Sequence, residues 1–304
     1  MSSQGKVRIG ISGWRYAPWR GTFYPEDLAQ RRELEFASRA LPTIELNGSF
    51  YSLQAPKSWQ AWHDQTPPDF VFSVKGPRFI THILRLREPR AALANFFASG
   101  IANLRDKLGP ILWQLPPSFK FDATLVGEFL AMLPRDTAAA AALARHHDAK
   151  VKGRCVLDYG SEVRPLRHAV EVRHDSFVTS PFITLLRSER VAFVVADTAG
   201  RWPEYLDVTT DFVYVRLHGA SELYKSGYAD AQIDAWAARI DRWRAGLLAD
   251  DGPRIARAAA KARGGRDVFC YFDNTDKVHA PRNAQRLLAQ LGTARTQDDS
   301  GPRK

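Results

Sequence analysis

Two rhythms of apolar residues alternate along the chain. Short runs rich in Val, Ile, Phe and Tyr fall at 7–13, 43–51, 71–76, 109–115, 168–174, 192–198, 212–219 and 267–274. Between them lie segments whose apolar positions recur at helical spacing, beginning near Pro25, Pro56, Pro89, Asp122, Ser180, Trp202 and Ala229, with a last one over 281–291. Proline suits a first helical turn, where its missing N–H removes no bond. Strands that alternate with helices predict βα units and a parallel sheet.

Two segments exceed a minimal unit. Residues 137–148 are Ala-rich and helical, followed by a polar stretch, 149–167, expected to be a surface loop. Residues 229–265 predict a long helix, with Trp236, Ile240, Trp243 and Leu247 on one stripe, then a basic helix over 253–263. The ends, 1–6 and 292–304, are polar and expected to be disordered. An open sheet would blunt its edge strands. Runs 7–13 and 267–274 both have interior character, so closure lets them pair with each other. The expected fold is α/β, a single-domain TIM-like (β/α)8 barrel over residues 7–291.

Alternation within a strand sorts its side chains by face. Glu45 and Asn47 oppose Ile44 and Leu46; Lys75 opposes Val74; Glu171 and Arg173 oppose Val170 and Val172; Tyr214, Arg216 and His218 oppose Val213, Val215 and Leu217. The aliphatic face must meet the helices, so the polar face points into the barrel, with Asp197 and Asp273 at the last turns of their strands. Charges there carry a desolvation cost unless they pair or meet a ligand. Barrel enzymes build their sites at these C-terminal strand ends. A competing interpretation is an internal salt-bridge network, pairing Glu45 with Arg173 or Glu171 with Arg216.

Two loops add to the mouth. Residues 12–25 set Trp14, Tyr16, Trp19, Phe23 and Tyr24 beside Arg15 and Arg20, which suits ring stacking or a hydrophobic plug. The exit of the third strand presents Lys75, Arg78, Thr81 and His82 around a Gly-Pro turn, a cluster suited to phosphate or carboxylate. His218, at a strand end before Gly219, is the candidate acid or base, with Asp197 and Glu171 as candidate partners. Gln114 and Asn274 complete the expected substrate-binding set. No HxH, HxxE or DxD spacing marks a strand end, so no metal site and no cofactor are assigned, although carboxylates and His218 could converge on a divalent ion. GxGxxG and P-loop motifs are absent, which argues against dinucleotide and Walker-type sites.

Charge changes this picture modestly. The net charge of +10 and pI near 9.7 favour anionic partners. The two cysteines, Cys155 and Cys270, do not make a disulfide framework, and no apolar run has membrane-span length, so a cytoplasmic location is expected.

The assembled motifs resemble those of the YecE-like family, domain of unknown function family 72. The resemblance is carried by Gly10 to Trp14 with Trp19, Gly21 and Phe23 to Pro25; by Glu45 to Asn47 with Phe50 and Tyr51; and by Phe72 to Lys75 with Thr81 and His82. It continues through Gly109 to Pro117, Glu171 to His174 with Ser176 and Phe177, Asp197 with Thr198, Tyr214 to Gly219, and Tyr271 to Asn274 with Asn283 and Ala284. The resemblance implies a TIM-like barrel, a fold reminiscent of endonuclease-like and sugar-isomerase-like enzymes. Where the family pattern has Asn before Asn274 this chain has Asp273, and it has Phe177 where many relatives show Trp.

The expected function is an enzyme acting on a small anionic or phosphorylated substrate. Lys75, Arg173 and Arg216 hold the anion, and His218 with Glu171 or Asp197 moves a proton; Lys75 also stands among the catalytic candidates. Hydrolase, lyase and isomerase chemistry all fit. Two alternatives are a nucleic-acid-binding or endonuclease-like protein using Arg15, Arg20, Arg78, Arg85 and Arg87 with the basic helix expected over 253–263, and a non-catalytic ligand-binding scaffold.

Overall fold

The computed structural model describes residues 4–256, 264–274 and 278–292. Strands β1 (Val7–Ser12), β2 (Thr43–Leu46), β3 (Val71–Lys75), β4 (Leu108–Gln114), β5 (His168–Glu171), β6 (Ala192–Asp197), β7 (Phe212–Leu217) and β8 (Asp267–Phe272) pair in chain order, all parallel. β1 and β8 close the barrel over five paired positions, Val7 with Val268 through Ile11 with Phe272. All eight expected strands are present. The second ends early, because Asn47 adopts helical angles and Gly48–Tyr51 forms a helical turn tied to β3 by Ser49 Oγ donating to the Lys75 carbonyl at 2.7 Å.

The helices are α1 (Glu33–Ala40), α2 (Gly48–Tyr51), α3 (Pro56–Asp64), α4 (Arg90–Ala98), α5 (Ala123–Met132), α6 (Thr137–Ala144), α7 (Ser180–Ser188), α8 (Asp230–Arg244) and α9 (His279–Gln290). Asp122 and Asp136 cap α5 and α6 by accepting the Leu125 and Ala139 N–H groups at 3.0 and 2.7 Å. The helix expected from Pro25 begins later, at Glu33. The one expected from Trp202 does not form; the β-branched run Val208, Thr209 and Thr210 favours extended backbone. That connection is held instead by Asp207, which accepts the Ile255 and Ala256 N–H groups. α8 buries Ile233, Trp236, Ile240 and Trp243, whereas Leu247 lies beyond its end and is exposed. Of the expected basic helix, residues 253–256 are not helical and 257–263 lie outside the described residues. The loop 149–167 is anchored by buried Val151, Tyr159 and Leu166. Before β1, the Gly5 and Lys6 N–H groups donate to the Arg244 carbonyl and to Asp267. The expected tail after residue 292 and the start, 1–3, lie outside the described residues.

Outward strand residues such as Ile9, Ile44, Phe72, Trp113, Val215 and Phe272 join the core shared with the helices. Inward ones form a separate stack that changes character along the axis. At the N-terminal end Arg167 lies over Phe212, 5.3 Å from its centroid, and pairs with Asp267 at 2.7 Å. Above this comes an apolar layer including Val71, Leu112, Ala169 and Val194. Next comes a hydroxyl layer, Thr43 with Tyr271 and Ser73 with Tyr214, at 2.9 and 2.6 Å. The charged residues cap it. Gly10 fits this stack because a Cβ there would sit 2.0 Å from the Thr43 carbonyl oxygen. Gly10→Ala is expected to lower unfolding stability by about 3 kcal/mol or more, since strands cannot move apart in a closed barrel; a urea midpoint near that of the unmodified protein would show that β1 has more room than this.

Candidate active site at the strand ends

Arg216, the inward residue near the end of β7, is fully buried, and each of its N–H donors has a protein acceptor. Nε donates to Glu45 Oε2 at 3.0 Å, and Nη2 to Glu45 Oε1 at 2.8 Å and Asp273 Oδ2 at 2.9 Å. Nη1 reaches Glu171 Oε2 at 2.6 Å and His218 Nε2 at 3.2 Å. A guanidinium has five donors, so this one is saturated. Glu45, fully buried, also accepts from Ser12 Oγ at 2.6 Å and the Tyr214 hydroxyl at 2.7 Å. Glu171 uses its other oxygen for Arg173 Nε at 2.6 Å, and Arg173 lies on Trp202, 3.9 Å from its ring.

This geometry fixes protonation. Because Arg216 donates to His218 Nε2, that nitrogen is the acceptor, and Nδ1 carries the hydrogen toward Asp273 Oδ2, 3.2 Å away. Burial and the Arg216 charge both push the imidazole's pKa down, against Asp273. His218 is therefore a neutral histidine, its Nε2 committed to Arg216 and its Nδ1 near Asp273 without a well-formed hydrogen bond. Burial alone would raise the Glu171 pKa, but Arg173 and Arg216 overcome it and hold the carboxyl well below its ordinary range. Arg216 stays charged for the converse reason: three carboxylates outweigh its desolvation.

These facts correct several expectations. Arg216 and Glu45 have no groups left for a substrate, and His218 and Glu171 are not poised to exchange a proton near neutral pH. The carboxylate facing His218 is Asp273, not Asp197 or Glu171. Asp197 follows the outward parity of Phe193 and Val195; its side chain accepts the Ala199 N–H at 3.2 Å and bonds Tyr228, outside the Arg216 network. Beside it, burial and Asp197 raise the Glu204 carboxyl to about 7. Trp14 is a packing residue, 8% exposed and edge-on to Trp62, and Tyr16 donates its hydroxyl to the Ser12 carbonyl and leans on Trp19. The aromatic loop is thus a plug. Asn274 is buried and donates to the Ser226 carbonyl and Asn283, anchoring the loop after β7. Arg20 pairs with Glu33, and Arg85 bonds Ser118.

What remains at the mouth is centred on Lys75. Its side chain is buried, yet among the described residues its ammonium makes no ion pair or hydrogen bond; its contact is the face of Phe50, 4.3 Å from the centroid. Burial, with Arg216 assisting and three carboxylates opposing, brings its pKa down to about 8. His82 stands edge-on to the same Phe50 ring, its Nδ1 2.8 Å from Thr81 Oγ1. Burial and the cations Lys75, Arg78 and Arg173 lower its pKa to about 4, so it is neutral. Asn47 Oδ1 is buried without a hydrogen-bond partner among the described residues, Gln114 closes the inner end of β4, and Arg78 is exposed at the rim. No group of three His, Cys, Asp or Glu side chains among the described residues is arranged to hold a metal ion. Nor is any described helix long and apolar enough to cross a membrane.

Sequence parity had indicated the network but not Trp202, Phe50 or Tyr224, which packs edge-on to His218 at 5.2 Å. All three lie outside the strands, where alternation gives no direction. Ser12 could have been found, because it shares the inward face of Gly10.

Fold and site together define a closed (β/α)8 barrel whose mouth is built on a saturated buried arginine. The chain belongs to the family described as protein of unknown function DUF72, whose model matches residues 8–304. It is 30% identical over 118 residues to the UPF0759 protein YunF of Bacillus subtilis, covering 37% of this chain and 41% of that one. It is 27% identical over 113 residues to the UPF0759 protein YecE of Escherichia coli, covering 37% and 39%. The matched stretches thus span about two fifths of these curated relatives. A DUF72 family protein from Thermotoga maritima superposes with a TM-score of 0.69 at 24% identity, over 94% of this chain and 99% of that one. One from Enterococcus faecalis gives 0.66 at 16%, over 98% and 99%. These likenesses establish the barrel.

Removing Arg216 strands three carboxylates. Arg216→Met is expected to cost about 3–5 kcal/mol in chemical denaturation. Arg216→Lys should recover little, since an ammonium has three donors and no fork; a near-complete rescue by Lys would show that charge alone, not the five-donor geometry, holds the mouth together.

Proposed function

We propose that the protein is an enzyme that takes a small anionic substrate at the strand-end mouth, with Lys75 as the group that meets it and exchanges its proton. The observation that carries this reading is an ammonium on a largely buried side chain, 8% exposed, that has no acceptor among the described residues and lies against an aromatic face. A phosphate or carboxylate oxygen would supply what is missing. An amine with a pKa near 8 is mainly charged at neutral pH, yet gives up its proton readily, which suits acid–base work there. Arg173, at the edge of the mouth with its guanidinium over Trp202, would orient the same anion, and Asn47 Oδ1, without a partner among the described residues, would accept from a substrate hydroxyl.

The charges support a small ligand rather than a polyanion. Glu45, Glu171 and Asp273 are matched by Arg216, Arg173 and Lys75, so the buried part of the mouth is charge-balanced and Arg78 at its rim adds one cation, little to hold a nucleic-acid backbone. Selectivity would come from the unfilled donors of Lys75, at short range. The test is phosphate-dependent thermal stabilisation. Inorganic phosphate should raise the melting temperature of the unmodified protein but not of Lys75→Met, and the effect should fade as pH rises above about 8 and the ammonium is lost. Equal stabilisation of both proteins would overturn the reading.

The ligand-free proteins provide a second check. The Lys75 pKa is lower folded than unfolded, so the folded state binds fewer protons between about pH 8 and 10.5. Its charge therefore destabilises the fold below pH 8, and this cost is relieved as pH climbs through that window. Lys75→Met should be more stable than the unmodified protein at pH 7, by roughly 2 kcal/mol, with the difference shrinking toward pH 10.5. A variant less stable at pH 7 would mean that the ammonium has a partner in the fold.

A further inference from the structure

Phe50 has two neighbourhoods. One face receives the Lys75 ammonium, while the ring also lines a surface groove of about 690 Å³, continued by Tyr51, Phe79, Ile80, Ile83 and Leu84. Tyr51, Phe79 and Ile83 are 71%, 43% and 60% exposed, and they make up half of the large exposed apolar side chains among the described residues. Scattered exposed apolar residues need no explanation; three gathered in one concavity do. A cavity of this size falls within the range of about 300–1,000 Å³ that holds small ligands. Its rim carries Arg78, Lys150 and Arg154, against Glu88 and Asp148.

The wall is built for shape rather than for helical regularity. Phe79–Ile83 is a turn of π-helix, in which the Leu84 N–H reaches back to the Phe79 carbonyl at 2.8 Å. Just beyond it Arg85, Leu86 and Glu88 adopt φ of +50°, +65° and +44°, a region that costs energy for residues with a Cβ. Arg85 braces this segment by donating to Ser118 Oγ and the Ser118 carbonyl at 3.2 and 3.0 Å. Single π-turns recur at functional sites because the extra residue redirects side chains. Here Phe79 and Ile83 are turned outward into the groove.

We infer that the groove and the mouth are two halves of one binding site joined at Phe50, so that the ligand is an aryl anion: an aromatic ring lies against Tyr51, Phe79 and Ile83 while its phosphate or carboxylate reaches Lys75. An aromatic ring suits the groove better than a flexible chain. Tyr51 meets Phe50 edge-on at 89°, and Lys150 lies over Phe79, so the groove offers rings and a cation to a flat π-surface. The basic rim side chains favour an anionic ligand over a neutral one. This inference rests on Lys75 as the anion contact and adds the class of substrate.

Calorimetric titration of the full chain at pH 7 with inorganic phosphate, phenyl phosphate, 2-naphthyl phosphate and neutral 2-naphthylmethanol tests it. Affinity should rise with ring size, by roughly tenfold or more from phosphate to naphthyl phosphate. The double variant Phe79→Ser, Ile83→Gln changes exposed positions only, so its fold should survive. It should lose that increment while binding inorganic phosphate unchanged. Lys75→Met should lose phosphate and keep weak binding of naphthylmethanol. If phosphate binds and the aryl groups add nothing, or the increment survives the double variant, the groove inference is overturned and the role of Lys75 stands. If naphthylmethanol alone binds and the double variant abolishes it, the groove is an aryl site and the anion role of Lys75 falls.

Discussion

Everything at the mouth depends on one guanidinium having as many acceptors as it has donors. Arg216 ties β2 through Glu45, β5 through Glu171 and the exit of β8 through Asp273, so one side chain cross-links strands on opposite sides of the barrel. Burying these charges is costly, and a well-packed apolar substitute would often be as stable. What an apolar plug would not supply is fixed direction. With five donors spent, the three carboxylates, Tyr214 and His218 have each a defined orientation, and groups set against them inherit it. The buried network is thus better understood as a template for the mouth than as a source of stability.

The template also decides which charged residue is left without an ion pair among the described residues. Three carboxylates face two guanidinium groups, and the balance is completed only when Lys75 is protonated. Its neighbours therefore favour the charged amine, while burial and the nearby Arg216 oppose it. The compromise near neutral pH follows from those opposed effects. The histidine that would ordinarily be the first candidate at this pH is taken up by the network, its lone pair toward Arg216 and its hydrogen toward Asp273.

How much of this was legible in the sequence follows from the geometry of a strand. Alternation alone placed Glu45, Lys75, Glu171 and Arg216 on one inward face, and strand count with two interior-type end strands gave closure. Parity says which side chains share a wall, however, and not which atoms meet. The saturation of Arg216 and the tautomer of His218 depend on distances of a few tenths of an ångström. Asp197 was misplaced because it stands at a strand end, where one residue of offset moves a side chain from the inside to the outside. Phe50 and Trp202 sit in a short helical turn and an irregular connection, and their contacts with Lys75 and Arg173 are set by tertiary packing that no local period encodes.

Asp273 shows how the two cations at the mouth are linked. The motif that this chain otherwise resembles has Asn there. With a neutral amide, Glu45 and Glu171 would be balanced by Arg216 and Arg173, and Lys75 would be a buried cation in excess, held neutral by burial more readily. The carboxylate at 273 adds to the larger effects of Glu45 and Glu171 in favouring the protonated Lys75. It does so without an ion pair to Lys75 among the described residues, where its carboxylate meets Arg216 and His218. Field without contact favours the charged ammonium while leaving it without an ion pair among the described residues. A direct Lys75–Asp273 pair would have charged the amine as well, and closed it.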